Sequence, residues 1–303
     1  MKAFEKIYIE ISDYCALSCG FCPSSERKSH RGVMPLALFE SICAQIQNDV
    51  KRVCLHVLGD PLSVANFEDY VKILEHYHLK VDLVTTGLFL KQRHFGLLMQ
   101  KPFVQISFSL SAFLANPASL HNAHLYRILE FCKFHMRYKS SPFINLRFHQ
   151  NDIAKDGTLY KEMMATIGAF FDIEPAFLLA NLKHKRIRLA PKIILKPMPS
   201  FEWESTNPKQ ESIKDKGELS GFKDNKSERI FCYGALKQYG ILSNGELVPC
   251  CIDYAGRASF GNVGEQSIRE ILQSVAFREF GAQLKRGLAP CELCEKCGYR
   301  MIL

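Results

Sequence analysis

Little in this chain would tie it to a membrane or an export route. No stretch of its 303 residues reaches the roughly 18 uninterrupted apolar residues that a bilayer span needs. The start, Met1-Lys2-Ala3-Phe4-Glu5-Lys6, has no long apolar core and no small-residue cleavage site, so no signal peptide is read there. These absences make the cytoplasm the expected compartment. Thiols stay reduced there, so the twelve cysteines point to metal binding rather than to disulfides. Tryptophan is nearly missing, with Trp203 the one example. Acids are missing from residues 183–196, where Lys183, Lys185, Arg186, Arg188, Lys192 and Lys196 stand. In a chain of net charge +8, that run reads first as a solvated face and second as an anion-attracting patch. It lacks the interleaved aromatics of a nucleic-acid surface, so no nucleic-acid partner is expected.

What is present is an ordinary soluble composition, long enough for one large domain and a small appendage. The cysteines are grouped. Cys43, Cys54 and Cys132 stand alone in periodic apolar segments and read as small buried hydrophobes. Three others form Cys15-x3-Cys19-x2-Cys22, directly after the apolar run Ile7–Ile11. A loop this short wraps three sulfurs around one face of a cubane iron–sulfur cluster and leaves the fourth iron without a protein ligand. Structural zinc uses four ligands, typically in Cys-x2-Cys pairs, and no fourth cysteine or histidine lies near. His30 sits in a polar loop and reads as a surface residue.

Short apolar runs at 6–11, 52–58, 80–85, 103–110, 143–148 and 173–179 read as strands. Helix-like stretches run from Pro35 to Asn48, Asn66 to Tyr77, Leu88 to Met99, Pro117 to Tyr138 and Thr158 to Phe171. Strand–helix alternation with near-continuous apolar strands predicts parallel βαβ units. Six strands fit an α/β fold, a partial (βα)6 TIM-like barrel over residues 1–196. Functional groups of such barrels gather at the C-terminal ends of the strands, where the triplet falls. Residues 197–229 are polar, with little periodicity, and read as a linker that Trp203 and Phe222 pin down. Residues 230–303 form a small cysteine-rich domain, with a hairpin over 242–248 turning at Asn244-Gly245 and one amphipathic helix from Ser267 to Lys285.

On these residues the chain resembles the radical S-adenosylmethionine (SAM) superfamily. Phe21 fills the aromatic slot of that family's Cys-x3-Cys-x-aromatic-Cys. Leu58-Gly59-Asp60-Pro61 stands where the family has Gly-Gly-Glu-Pro, with Leu58 and Asp60 as departures. The family uses this edge mainly through backbone carbonyls that receive the methionyl ammonium. Thr85-Thr86-Gly87 stands where relatives have a Thr-Asn-Gly turn. The resemblance implies SAM contacts at Phe21, Gly59, Asp60, Pro61 and Thr86, with Ser109 toward the ribose and Arg147 toward the carboxylate. It also implies a 4Fe-4S cluster on Cys15, Cys19 and Cys22 that binds SAM, an electron from a reductase such as flavodoxin or ferredoxin, and a 5′-deoxyadenosyl radical that takes hydrogen from a substrate.

The tail runs Cys232-x12-Gly245-x4-Cys250, then Cys291-x2-Cys294-x2-Cys297. The first half matches the opening of SPASM-type auxiliary-cluster domains. Six tail cysteines are too few for two full clusters, so the tail resembles the shortened "twitch" form with one auxiliary 4Fe-4S cluster. The expected ligands are Cys232, Cys250, Cys291 and Cys294, with Cys297 competing and Cys251 left out. The resemblance implies an oxidoreductase or epimerase acting on a small molecule or peptide. Two other classes stay open on the cysteines alone: a non-catalytic iron–sulfur electron carrier or metal sensor, and a structural zinc ribbon.

Overall fold

The computed structural model describes residues 4–26, 29–120, 122–203 and 230–302. Among these, nine strands join one sheet: β1 (Lys6–Ile9), β2 (Val53–Cys54), β3 (Val81–Thr85), β4 (Phe103–Ser109), β5 (Phe143–His149), β6 (Ile187–Ala190), β7 (Ile193–Met198), β8 (Gln238–Ile241) and β9 (Leu247–Val248). Their order is β6-β7-β5-β4-β3-β2-β1-β8-β9. From β7 to β8 every neighbouring pair is parallel. The sheet is a partial barrel of six (βα)-type strands, extended at the β1 edge by two strands, β8 and β9, from the cysteine-rich tail. Covering helices bury the strands on their outer side, so Ile7, Ile9, Ile106, Phe108, Ile144 and Leu146 are all fully buried. That double coverage explains the continuous apolar runs.

Two elements differ from the sequence expectation. Residues 173–179 are not a strand; they belong largely to the helix Pro175–Leu182. Pro175 occupies the helix's first turn, where its missing N–H is harmless, and Leu178 and Leu182, four apart, face the core. The sixth parallel strand is instead β7, hidden inside the basic run. Ile193 and Leu195 point inward while Lys196 stays exposed, and Lys192 turns the antiparallel β6–β7 hairpin at φ +61°. The run is therefore only half a solvated face, and its strand extends to Met198. The single helix expected from Ser267 to Lys285 is two, Ile268–Gln273 and Val275–Lys285. Ser274 breaks it and caps the second piece through Phe277 N. The expected hairpin is present, with Gly245 at φ +91°. Phe222 and residues 204–229 lie outside the described residues. No single described helix is long and apolar enough to cross a membrane.

Gly59 holds the end of the second strand segment against the loop after β1. Its φ is +73°, and a Cβ there would lie 2.3 Å from the Ser12 carbonyl oxygen and 2.8 Å from that of Tyr14. Both atoms are backbone and cannot step aside. Gly59→Ala is expected to destabilise the fold by about 2 kcal/mol or more through strain and clash together. A thermal unfolding midpoint unchanged from wild type would contradict this close approach.

Candidate functional site

The triplet loop leaves β1 and is fastened at both ends by buried carboxylates. Asp13 accepts hydrogen bonds from the Arg31 and Gly32 backbone N–H groups at 2.7 and 3.0 Å. Glu10, fully buried, accepts from Arg31 Nε and Nη2 at 3.1 and 2.7 Å, from Leu58 N at 3.1 Å and from Ser243 N at 3.2 Å. One side chain thus ties β1, the loop, the end of the second strand segment and the tail. Within the loop, Cys22 N donates to the Cys19 carbonyl at 2.9 Å, which closes the turn that gathers the sulfurs.

Asn116, far off in sequence, clamps this loop. Its Nδ2 donates to Cys19 Sγ at 3.0 Å and its Oδ1 accepts from Ser18 N at 3.1 Å. Burial pushes the Cys15 thiol up to about 12 and the Cys19 thiol up to about 11; the Asn116 bond opposes the second shift. Buried thiols of this kind give up their protons when a metal takes the proton's place. No group of three or more metal-ligating side chains among the described residues closes on one point as a single ion requires. A cluster asks for less, because each thiolate meets its own iron. Three neighbouring cysteines without a disulfide and an N–H already aimed at one sulfur fit that donor set. Hydrogen bonds to cluster sulfurs raise the reduction potential. Asn116→Ala is therefore expected to lower the potential of the triplet cluster, read by an EPR-monitored redox titration. An unchanged potential would leave Asn116 a loop clamp only.

At the neighbouring strand ends, Asp60 is spoken for. It is 2% exposed and accepts from Leu62 N (3.1 Å), Thr85 Oγ1 (2.8 Å), Thr86 N (2.9 Å) and Thr86 Oγ1 (2.6 Å). Its carboxylate welds the ends of the second and third strand segments, and Asp60 N donates to the Tyr14 carbonyl at 2.9 Å. Gly59, Asp60, Pro61 and Thr86 thus gather beside the triplet loop.

Two adjoining cavities open here. One, of about 580 Å³, is lined by Phe21, Cys22, His149 and Asp152. The other, of about 300 Å³, is lined by Tyr8, His56, Ser109, Arg147, Cys251 and Tyr299, among others. His149, Pro199, Phe201 and Trp203 wall both. Trp203 packs edge-on against Tyr254 at 5.5 Å and beside Phe201 at 5.0 Å. Phe21 meets His149 edge-on at 4.5 Å. Ser109 and Arg147 hydrogen-bond at 3.3 Å and belong to the second cavity, on the tail side.

The tail cysteines lie near enough to influence one another. Cys291 and Cys294 sulfurs are 3.7 Å apart. Burial and then the neighbouring Cys291 push the Cys294 thiol up, with Cys232 and Cys297 adding to it. Burial likewise raises Cys250, with Cys251 and Cys232 contributing. Cys251 is set apart by its partner: it bonds Tyr8, and it lines the second cavity. Arg300, 5% exposed, braces this region by donating to the carbonyls of Ile230 (2.9 Å), Gly287 (2.6 Å) and Cys294 (3.4 Å). Sequence reasoning missed Glu10, Asn116, Arg300, His56 and Tyr8. Only Glu10 and His56 carried a local signal, each as a lone polar residue in an apolar strand-like run.

Residues 232–298 match the SPASM iron–sulfur cluster-binding domain family. Over 97 residues the chain is 27% identical to an S-adenosyl-L-methionine-dependent 2-deoxy-scyllo-inosamine dehydrogenase of Niallia circulans; the match covers 30% of this chain and 39% of that protein's length. Among solved structures, BtrN in complex with AdoMet and 2-DOIA superposes with a TM-score of 0.54 at 19% identity, over 94% of this chain and 89% of that one. The anSMEcpe protein with bound AdoMet gives 0.58 at 17%, over 97% and 83%. Streptococcus suis SuiB bound to its precursor peptide SuiA gives 0.58 at 16%, over 98% and 72%. The expected fold, barrel and tail together, is shared with these proteins.

Proposed function

Because the chain has the radical SAM fold and a SPASM domain, we propose that it is an enzyme that cleaves SAM reductively and oxidises a small-molecule substrate. The observation that carries this reading is the open triplet loop, held by Glu10 and Asn116 at the mouth of the strand ends. Cys15, Cys19 and Cys22 would hold the first cluster. When bound, cluster and SAM supply a 5′-deoxyadenosyl radical that removes a hydrogen atom from the substrate. The chain's own residues orient and seal. The backbone of Gly59, Asp60 and Pro61 would receive the methionyl end, Thr86 fixes that edge through Asp60, and Phe21 lines the first cavity with His149. Phe201 and Trp203 exclude water between the cavities.

Cys232, Cys250, Cys291 and Cys294 would hold an auxiliary 4Fe-4S cluster, with Cys297 the competing ligand. Two observations favour oxidation over epimerisation. Cys251 and Tyr299, neighbours of these cysteines, line the second cavity, so an electron leaving the substrate has a short way to go. The Niallia circulans relative is a dehydrogenase. Residues 1–196 would act as the radical-generating unit, 197–229 as the linker and 230–303 as the auxiliary-cluster unit, in the cytoplasm, with flavodoxin or ferredoxin as electron donor and no nucleic acid or membrane as partner.

The test is anaerobic reconstitution followed by reduction with SAM present. The protein should hold about eight irons, two clusters' worth, and release 5′-deoxyadenosine. Colourless protein carrying zinc, or an iron protein that yields no 5′-deoxyadenosine above background, would sink the proposal.

A further inference from the structure

We infer that Arg147 receives an anionic group of the substrate, a carboxylate or phosphate, in the cavity between barrel and tail. The inference rests on the radical SAM reading and refines it: Arg147 faces the substrate rather than the carboxylate of SAM.

Arg147 projects from β5 into the cavity that Tyr8 and His56 also line. Burial, the largest influence, brings its pKa down only to about 10, so it stays a cation. A guanidinium offers five N–H donors. Here Nη2 reaches Ser109 Oγ at 3.3 Å, while Nε is buried without a partner. No Asp or Glu lines this cavity among the described residues. A half-buried cation with a buried, unpartnered Nε and no counter-charge beside it is costly, and proteins keep one where a ligand supplies the anion. A second orphan points the same way. His56 lines the same cavity, its ring edge-on to Tyr8 at 5.7 Å, and its Nδ1 is buried with no partner. Burial first, then Arg147, hold this imidazole down at about 3, so it is neutral and one of its tautomers offers an N–H donor. An unmatched guanidinium donor and an unmatched imidazole nitrogen that donates in one tautomer, over one acid-free cavity, make a site for an oxyanion. The apolar wall of Met198, Phe201 and Trp203 suits the carbon skeleton carrying it.

Of the residues expected to meet SAM or its cluster, Ser109 shares the Arg147 cavity, whereas Cys15, Cys19, Cys22, Gly59, Asp60, Pro61 and Thr86 do not line it; Phe21 and Cys22 open on its neighbour.

Trp203 is the sole tryptophan and walls the cavity, so its emission reports occupancy. Reconstituted wild type is titrated with inorganic phosphate and with succinate at constant ionic strength, and with neutral succinamide. Equilibrium dialysis of radiolabelled phosphate runs alongside. Saturable binding of the anions but not of succinamide is expected. In Arg147→Gln it should weaken by roughly tenfold or more, the loss of one charge-assisted pair, with Arg147→Lys in between. Repeating the titration at saturating SAM separates the two carboxylate sources. Binding that persists supports the substrate site. Binding that SAM abolishes overturns it, as does wild type that binds neither anion by either measure or no better than Arg147→Gln. The release of 5′-deoxyadenosine by the same wild-type sample tests the radical reading independently, so either claim can fail alone.

Discussion

Replacing Cys15, Cys19 and Cys22 together by alanine is expected to abolish 5′-deoxyadenosine release and to leave about four irons on a folded protein. The three cysteines follow β1 in one short turn, and nothing in the tail substitutes for them. Their loop is held by Asp13, Glu10 and Asn116; removing the sulfurs takes away only the Asn116–Cys19 bond, and Asn116 keeps its bond from Ser18 N. Cys19 is buried and takes alanine with a small cavity, a loss of about 1–2 kcal/mol. Activity should therefore fall far more than stability. The tail cysteines remain, and the iron they hold distinguishes one cluster from two. Iron analysis and EPR of the triple variant decide it. A folded variant with no iron would remove the second cluster, and one that still forms 5′-deoxyadenosine would remove the triplet from the chemistry.

Glu10→Gln should be the most damaging single change outside the cysteines. The carboxylate accepts four hydrogen bonds from Arg31, Leu58 and Ser243. Glutamine offers one oxygen and turns an NH2 group toward donors. Arg31, with a side chain only 14% exposed, is left a half-buried cation without its partner. Breaking a buried pair in this way costs about 3–5 kcal/mol. The loop, the second strand segment and the tail loosen together, because one residue serves all three. The expected result is a lower unfolding midpoint and poor iron retention at the triplet, read against Glu279→Gln on an exposed helical position. A variant that melts with wild type and loads iron normally would show the pair to be dispensable.

Local patterns made much of the fold legible. Apolar runs located β1 to β5 because helices cover them, and Thr158–Phe171 was readable to the residue. The misplaced sixth strand shows the limit. Residues 173–179 are apolar enough for strand or helix, and only Pro175 with the Leu178–Leu182 spacing argues for the helix. The strand at Ile193–Met198 carries Lys196 outward and lies at the end of a basic run, so the surrounding charges masked it. The anchors were illegible for another reason. Asn116 lies 97 residues from Cys19, and Glu10 lies 233 residues from Ser243. Nothing near either residue in sequence announces such a partner. Asp60 was readable as a turn residue, and its bond from Leu62 N is local, but its three donors on Thr85 and Thr86 come from a strand end that only the sheet brings near.

The pairing of β8 with β1 sets the order in which this molecule can be completed. Lys6 to Ile9 are made first, yet one side of β1 waits for Gln238 to Ile241. During synthesis the growing chain carries an open strand edge until the whole barrel, and part of the tail after it, has emerged, the condition under which nascent chains stick to one another. Contacts this distant in sequence also slow folding. A chain stopped after Trp203 would present β1 as a sticky edge, and the two halves expressed separately should recover solubility only when produced together.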